Sequence, residues 1–451
     1  MAYKSLLAAL LAATALGATP AVAQTDAGRL AAELAAMRAK IDALEAEVAA
    51  LKASPPAPAA VVAAVPPPPP AQPGPSGGDG PTIKLFGRLQ YDFAHVGSPD
   101  GLNDRGLGFG NEVRRARIGV EGSIPGGFGY KFEVDFADNE VEITDAFLSY
   151  KASKALGITI GQHNNFQSLE ELTSSRFLSF MERAAFTDAF AFERRVGLSG
   201  TWTKGDLMAQ AGIFTDNIED LSNAQDAIGL GDENDAVSVD GRLVYAPKPG
   251  GTQLHFGGSV HSRDAGDTAA TGPATRYRQR PFVHTTSTRF LATPALRVER
   301  ETNYGLEAAL IDGPLHATGE VHWLEANTLT PGLSPTFFGG YAEVGYYLTG
   351  ETRGYKGGRW DRTKVLRPVG KGGLGAFQLN LRYDHLELNG GGILGGRQQG
   401  YQASLIWIPQ DNVRFLLNYG HLRYEDAAIA AAGGDRDYGI DVFGARAQVD
   451  F

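Results

Sequence analysis

The chain has 451 residues and a formal net charge of -10 at pH 7, and 43% of its residues are hydrophobic. It contains no cysteine, which excludes disulfide bonds, thiolate metal sites and cysteine nucleophiles. The negative total charge argues against a nucleic-acid partner, although Arg and Lys cluster in particular segments.

The first 23 residues have the features of a secretory signal peptide. Lys4 precedes an apolar run at residues 6–16, and the small residues Ala21 and Ala23 precede Gln24. We therefore predict that the mature chain begins at Gln24. No later stretch reaches the roughly 18 to 20 apolar residues of a spanning helix, so the sequence predicts an exported protein of the periplasm or outer membrane.

Residues 24–53 are predicted to form a coiled-coil helix. Apolar residues recur there at alternating spacings of four and three, which keeps one seam facing a partner helix. The seam consists of Leu30, Leu34, Met37, Ile41, Leu44, Val48 and Leu51. In a parallel coil the three flanking pairs have opposite charges, which favours self-association over a single helix lying on a surface. These pairs are Glu33 with Arg38, Lys40 with Glu45, and Glu47 with Lys52.

Residues 54–81 are rich in Pro, Ala and Gly and include five consecutive prolines at 66–70. Such a composition predicts an extended, semi-rigid linker rather than a fold. It would serve either as a periplasmic stalk that reaches toward the cell wall or as a passive tether, and we favour the tether.

Residues 82–451 repeat an alternation of apolar and polar residues over about ten positions. In the first segment Leu85, Leu89 and Phe93 alternate with charged residues such as Arg88 and Asp92. Successive side chains of a strand point to opposite faces, so one face is apolar and the other charged. A soluble sandwich shows alternation too, but the number of segments and their charged second face favour a barrel in a membrane.

Sixteen segments fit the alternation, and an even number lets the first and last strands pair so that no edge remains. The fold class predicted is therefore all-β, a 16-stranded antiparallel transmembrane β-barrel over residues 82–451. The segments are 82–95, 112–124, 128–137, 142–152, 156–162, 193–203, 206–215, 236–247, 251–262, 302–311, 314–325, 338–348, 374–387, 397–409, 411–424 and 437–451. Every second connection is short, except for residues 349–373, which are long and basic.

Several motifs in these segments resemble the phosphate-selective porins of types O and P. The motifs are Gly87-Arg88-Leu89-Gln90, Arg114-Arg115-Ala116, Asp145-Ala146, the segment LEELTSSRFLSFMER at 169–183, Tyr347-Leu348-Thr349-Gly350-Glu351, and a terminal strand that ends in Phe451. The resemblance covers the whole barrel and implies a trimeric, sixteen-stranded outer-membrane channel. It also implies that three long connections fold into the lumen, at residues 163–194, 263–301 and 349–373.

Basic residues on the lumen face are the candidates for an anion pathway, because fixed cations replace the hydration that a small anion loses in a narrow pore. Alternation places Arg88, Arg115, Arg117 and Lys131 on that face, at or beside constriction positions of the resembled family. Asp145 has the same parity and matches an acidic constriction residue that would orient the arginines.

Two further features complete the predicted pathway. Arg114 has outward parity but matches the family's arginine pair, and near a strand end its side chain would turn inward. Arg276, Arg278 and Arg280 have a spacing of two, so an extended chain places them on one face, which resembles the family's arginine ladder. Alternatively, these three arginines belong to a solvated basic loop that attracts lipopolysaccharide phosphates.

The sequence departs from the family pattern at the position of the family's phosphate site. Glu171 stands where the family has a phosphate-binding lysine, which reverses the charge. Arg176 would substitute if the loop were shifted by one helical turn, and Lys356 matches a second family lysine. Either Lys364 or Arg367 corresponds to the third.

The function predicted is passive, selective diffusion of small inorganic anions, with phosphate or polyphosphate as the family default. The alternatives are a weakly selective general porin, suggested by Glu171, and a structural envelope tether. We expect no enzymatic activity, cofactor or metal. The expected location is a Gram-negative outer membrane, in contact with lipid and lipopolysaccharide, as a homotrimer with the coil in the periplasm.

Overall fold

The computed structural model describes residues 80–219, 236–266, 268–272 and 274–451, together with residues 38 and 221. The predicted signal peptide, coiled coil and most of the linker lie outside these residues. Within the described part of the chain, no helix is both long enough and apolar enough to cross a membrane.

The strands follow the alternating pattern of the sequence, and twenty of them lie within the described residues. In chain order they are β1 Lys84–Val96, β2 Gly108–Ile124, β3 Phe128–Asp135, β4 Glu142–Lys151, β5 Leu156–Asn164, β6 Arg194–Lys204, β7 Leu207–Phe214, β8 Val237–Tyr245, β9 Gln253–Asp264, β10 Arg278–Gln279, β11 Leu291–Ala292, β12 Val298–Asp312, β13 Leu315–Thr328, β14 Thr336–Tyr347, β15 Gly354–Lys356, β16 Arg359–Asp361, β17 Ala376–Glu387, β18 Arg397–Gln410, β19 Val413–Glu425 and β20 Tyr438–Asp450.

Sixteen of these described strands form one closed antiparallel barrel, in which β1 pairs with both β2 and β20. The other four form two small hairpins, β10–β11 and β15–β16. Each predicted segment overlaps one barrel strand, so the predicted 16-stranded barrel is confirmed. Closure matters because lipid offers no partner for the backbone of a sheet edge.

The described helices are short and lie in connections. They are α1 Leu169–Leu172, α2 Ala185–Ala189 and α3 Thr268–Thr271, with 3-10 turns at Ala137–Asn139, Ser175–Phe177, Pro249–Gly251, Val369–Lys371 and Ala432–Gly434. The short connections lie at the barrel end where β1 begins, and their bounds differ from the prediction by one or two residues.

The outer face of the barrel is apolar, as the alternation predicts. Along β19, Phe415, Leu417 and Tyr419 are exposed, whereas Arg414 and Asn418, which have the opposite parity, are buried. At the end that carries the short turns, Trp407 stacks on the rings of Phe377 and Phe415. Aromatic residues are enriched at this position in membrane barrels because their rings suit the lipid–water interface.

Three long connections fold inside the barrel, as predicted. We call residues 165–193 the inner loop, residues 265–297 the ladder loop and residues 348–375 the inner turn. The inner loop reaches the wall through Ser175, which accepts a hydrogen bond from Arg88. The inner turn does so through Arg353, which pairs with Glu343, and the ladder loop through Phe282, whose ring lies against Gly400.

The interior differs from the water-filled lumen that the alternation suggests. Many inward polar side chains, such as Gln90 and Asp92, are fully buried against the inserted segments. Towards the other end of the barrel, the inner loop and the ladder loop form an apolar core with the wall, which includes Phe186, Phe290 and Leu386. The open passage is therefore confined to the space that the three inserted segments leave.

Glycines in the wall make room for the inner loop. A Cβ on Gly339 would lie 2.4 Å from the Cβ of Phe186, and one on Gly444 would lie 2.5 Å from the sulfur of Met181. Because no real Cβ approaches a neighbour this closely, larger residues at either position would push the loop into the lumen.

Candidate functional site

A cavity of about 630 Å³ lies between strands β1 to β8, the inner loop and the β15–β16 hairpin of the inner turn. Among the described residues, nine Arg or Lys side chains line it, against three carboxylates. The basic residues are Arg88, Arg115, Arg117, Lys131, Arg176, Arg183, Arg194, Arg242 and Arg359, and the acidic residues are Glu121, Asp145 and Asp361.

A β-bulge in β2 positions the Arg114–Arg115 pair. Gln90 pairs with Arg115 and Tyr91 with Val113, so Arg114 is the extra residue. A bulge re-aims side chains, and Arg114 turns inward to make two hydrogen bonds, of 2.9 and 3.1 Å, to the Glu182 carboxylate of the inner loop. Arg114 therefore turns inward as expected despite its outward parity, but the cause is the bulge within β2 rather than a nearby strand end.

Glu133 on β3 contacts three inward basic residues, Arg88, Arg117 and Lys131, which we call the basic wall. Its carboxylate accepts from Arg88 at 2.9 Å and from Arg117 at 3.3 Å, and lies 3.2 Å from Lys131. Arg117 also pairs with Asp135 at 2.6 Å. These carboxylates hold three of the predicted residues in a fixed arrangement while leaving an excess of positive charge.

Asp145 connects the basic wall to the next sector of the barrel. Its two carboxylate oxygens accept from Lys131 at 2.5 Å and from Arg194 at 2.9 Å. Asp145 therefore pairs with one predicted cation, Lys131, and with one arginine that was not predicted, Arg194.

Glu171 lies in α1, buried in the inner loop, and its carboxylate is 3.1 Å from the Arg183 guanidinium. Arg183 also donates to the carbonyl oxygens of Glu170, Glu171 and Thr173, so the loop itself supplies the compensating cation. Burial raises the pKa of Glu171 above its ordinary value, and the positive charge of Arg183 opposes this effect.

Arg176 lines the cavity from the 3-10 turn that follows α1. Its guanidinium donates to Ser174 at 3.1 Å, stacks on the ring of Phe177 and lies 3.6 Å from Asp450. Arg176 therefore contributes to the same basic lining as Arg88 without replacing Glu171.

The inner turn contributes Arg359 to the cavity, whereas the three residues that the resemblance suggested do not line it. Lys356 is exposed at the end of β15, next to cavity-lining Gly357. Lys364 and Arg367 are exposed further along the turn. In an inserted hairpin, a shift of a few residues changes which side chain reaches the lumen, so a sequence offset does not by itself identify the lining residue.

Two of the cations that line the cavity, Arg115 and Arg359, have no ion pair among the described residues. No carboxylate oxygen of that part of the chain lies within 4.0 Å of their guanidinium nitrogens. Arg115 donates from Nη1 to Gln90 at 2.9 Å. Arg359 makes one long contact, 3.4 Å, to the carbonyl oxygen of Leu172. Their charges are therefore the least compensated in the cavity, and the Arg359 side chain is exposed, whereas that of Arg115 is buried.

The arginine ladder lies in the ladder loop, outside the central cavity. Arg276 and Arg278 are exposed and Arg280 is half-buried, whereas Tyr277 and Gln279 between them are buried. The predicted common face is therefore confirmed.

A fourth cation and one carboxylate lie beside the ladder. Burial and then repulsion by Arg280 lower the pKa of Arg289 to about 10. The Asp188 carboxylate lies 3.8 Å from the Arg280 guanidinium.

Four basic residues that line the cavity were not predicted from the sequence: Arg183, Arg194, Arg242 and Arg359. Arg242 was recognisable, because it alternates with the outward residues Val239, Leu243 and Tyr245. Arg194 begins its strand, where parity is poorly defined, and the other two lie in inserted segments that have no alternation. Within the described residues, no group of three or more His, Asp or Glu side chains is placed to hold a metal.

Comparison with known proteins identifies the family. The family model for phosphate-selective porin O and P matches residues 83–451, which is the whole barrel. The chain belongs to the phosphate-selective porin O and P family. Porin O of Pseudomonas aeruginosa is 26% identical over 400 residues, covering 79% of this chain and 86% of the relative. An uncharacterized protein of Caulobacter vibrioides is 51% identical over 370 residues, covering 82% of this chain and 74% of the relative.

Solved structures support the porin fold. OmpT of Vibrio cholerae has a TM-score of 0.52 at 12% identity, covering 83% of this chain and 99% of that one. An anion-selective porin from Comamonas acidovorans has a TM-score of 0.50 at 14% identity, covering 82% and 100%. Together with the family match, this shared barrel fold makes the protein an outer-membrane porin.

Proposed function

We propose that this porin mediates passive, selective diffusion of small anions through the Arg- and Lys-lined constriction, with phosphate or polyphosphate as the family default. The observation that carries the proposal is the lining of the central cavity, where nine basic side chains face three carboxylates among the described residues. Such a lining favours anions because their desolvation is offset by fixed cations and donors.

The proposed mechanism divides the basic residues into two groups. Arg276, Arg278 and Arg280 would draw anions from outside, because three cations on one exposed face raise the local anion concentration. In the constriction, Arg88, Arg117, Lys131, Arg176 and Asp145 form the partly compensated wall, and Arg114 holds the inner loop through Glu182. Arg115 and Arg359 bind the passing anion, and the neighbouring cations, whose charges are partly compensated by carboxylates, attract it weakly enough for release.

The contact between Glu171 and Arg183 supports anion selectivity over a weakly selective porin. A lone glutamate would cancel a cation of the barrel wall, but Glu171 pairs at 3.1 Å with Arg183, a cation that its own loop supplies, so the cations on the strands keep their charge. The homotrimer and the periplasmic coiled coil also remain proposals, which the heptad pattern of residues 24–53 supports.

The first prediction is an anionic reversal potential. In a planar bilayer with a tenfold KCl gradient, the purified protein should give a reversal potential whose sign shows chloride to be more permeable than potassium. Inorganic phosphate added to the same bilayer should reduce the chloride current at millimolar concentrations. A cationic or zero reversal potential would contradict the proposed function, and anion selectivity without phosphate block would limit it to general anions.

Selectivity should increase in acid because of Glu171. Because burial raises its pKa above the ordinary value of 4.5, the carboxylate takes up a proton at a higher pH than an ordinary glutamate does as the solution is acidified. The loss of one negative charge among Arg183, Arg194 and Arg115 should raise the chloride-to-potassium permeability ratio about threefold to fivefold, since a unit charge at about 4 Å in water is worth about 1 kcal/mol.

The variant Glu171→Gln tests the origin of this pH effect. It should already have the high ratio at pH 7 and lose most of the change between pH 7 and 4.5. Glu140→Gln, at an exposed glutamate between β3 and β4, should behave like the unmodified protein. A full pH response in Glu171→Gln would assign the effect to another group, such as His163, which also lines the cavity.

A further inference from the structure

One sector of the cavity wall is polar but uncharged. Thr159 on β5, Thr201 and Thr203 on β6, and Gln210 on β7 all line the cavity. They alternate with outward residues such as Ile160 and therefore share the inward face. Thr201 and Gln210 are directly paired across β6 and β7. We call these four residues the hydroxyl patch.

The hydroxyl patch adjoins the basic side chains that line the cavity. The Gln210 side chain donates to Thr201 Oγ1 at 3.3 Å and accepts from Arg242 at 3.2 Å. Among the described residues, the side-chain hydroxyls of Thr159 and Thr203 make no hydrogen bond within the protein. Each hydroxyl can both donate and accept, so the patch offers uncommitted groups to a solute in the cavity.

A bare inorganic anion has little use for this sector, since it is recognised by charge and by N–H donors on the basic side. A solute that carries both an acid group and several hydroxyls matches both sides. The cavity of about 630 Å³ lies in the range of about 300 to 1,000 Å³ that is typical of sites for organic ligands.

We propose that the preferred solutes are polyhydroxylated organic anions, such as sugar phosphates, whose acid group faces the arginines and whose hydroxyls face the hydroxyl patch. This inference rests on the proposed anion pathway and refines its substrate class. Polyphosphate lacks the hydroxyls, so it would use the basic side chains alone.

Current block in a planar bilayer tests the inference with two dianions of the same charge. The chloride current is titrated at about pH 8.5, where both are dianions, with glucose 6-phosphate and with inorganic phosphate. Glucose 6-phosphate should reach half-block at about tenfold lower concentration, because two or three hydrogen bonds add to the same charge interaction. Uncharged glucose should not block in this range.

The double variant Thr201→Val/Thr203→Val separates hydrogen bonding from the larger size of the sugar. Valine keeps the shape but removes both hydroxyls, so half-block by glucose 6-phosphate should weaken about fivefold to tenfold while phosphate is unchanged. Thr252→Val, at a hydroxyl in the β8–β9 turn outside the cavity, is the control.

Equal block by the two dianions, or a double variant that behaves like the control, would overturn the inference while leaving the anion pathway intact. The reversal potential recorded in the same bilayers identifies the other failure. A channel that does not prefer chloride would overturn the proposed function and this inference with it.

Discussion

Replacing Arg382 with methionine should destabilise the folded barrel by about 3 to 5 kcal/mol, the usual cost of removing one partner from a buried ion pair. The Arg382 guanidinium on β17 is buried, donates to Glu343 at 2.7 Å and contacts the Glu170 carboxylate of the inner loop. It also stacks between the rings of Phe180 and Tyr341, at 4.5 and 4.4 Å. Methionine fills similar volume but leaves two carboxylates without this cation.

The Arg382→Met variant should also loosen the inner loop, because Glu170 is one of the contacts that join this loop to the wall. We expect a lower urea midpoint in detergent micelles, a lower temperature for loss of the heat-modifiable band on gels, and larger, noisier single-channel currents. Arg423→Met, at an exposed arginine on β19, should leave all three unchanged.

A second variant shows whether the loss comes from unpaired charge. Glu170→Gln/Arg382→Met removes one of the two buried carboxylate charges that the single variant leaves without Arg382, so it should recover part of the stability that Arg382→Met loses. If Arg382→Met were as stable as the Arg423→Met control, the buried network would not hold the inner loop in place.

Removing the two unpaired cations of the cavity should cause the largest loss of anion selectivity. In Arg115→Gln/Arg359→Gln, the chloride-to-potassium permeability ratio should fall about tenfold. The reason is that each charge is worth about 1 kcal/mol at about 4 Å in water, and salt screens part of this. Glutamine keeps polar contacts, and neither arginine has a carboxylate partner that would be left unpaired among the described residues.

The matched control removes two exposed arginines from outside the cavity. Arg105 lies in the external connection between β1 and β2, and Arg423 lies near the external end of β19. Arg105→Gln/Arg423→Gln carries the same change in total charge and should keep the original reversal potential. Equal effects of the two double variants would mean that total charge, rather than the cavity lining, sets selectivity.

The strand arrangement of this porin could be predicted almost completely from the sequence. Alternation over about ten residues has a local physical cause, since each strand must present apolar side chains to lipid and polar side chains to the interior. That rule predicted the inward direction of residues such as Arg88, Arg117 and Lys131. In the structure these three residues lie together around Glu133.

The rule fails wherever the chain leaves regular strand geometry. The bulge at Arg114 reverses the direction that alternation assigns to its side chain, and the neighbouring residues give no sequence signal of this bulge. In the inner loop and inner turn, Arg183 and Arg359 have no period to follow, and their positions depend on contacts with wall residues far away in the sequence.

The sequence by itself therefore determined the closed barrel, its sixteen strands, its lipid-facing surface and the basic character of part of its interior. Only the tertiary structure decided which cations line the open cavity, which are neutralised by buried carboxylates, and how the inserted segments narrow the passage. The physical reason is that side-chain direction in a strand is a local property, whereas ion pairing and burial depend on which segments meet inside the barrel.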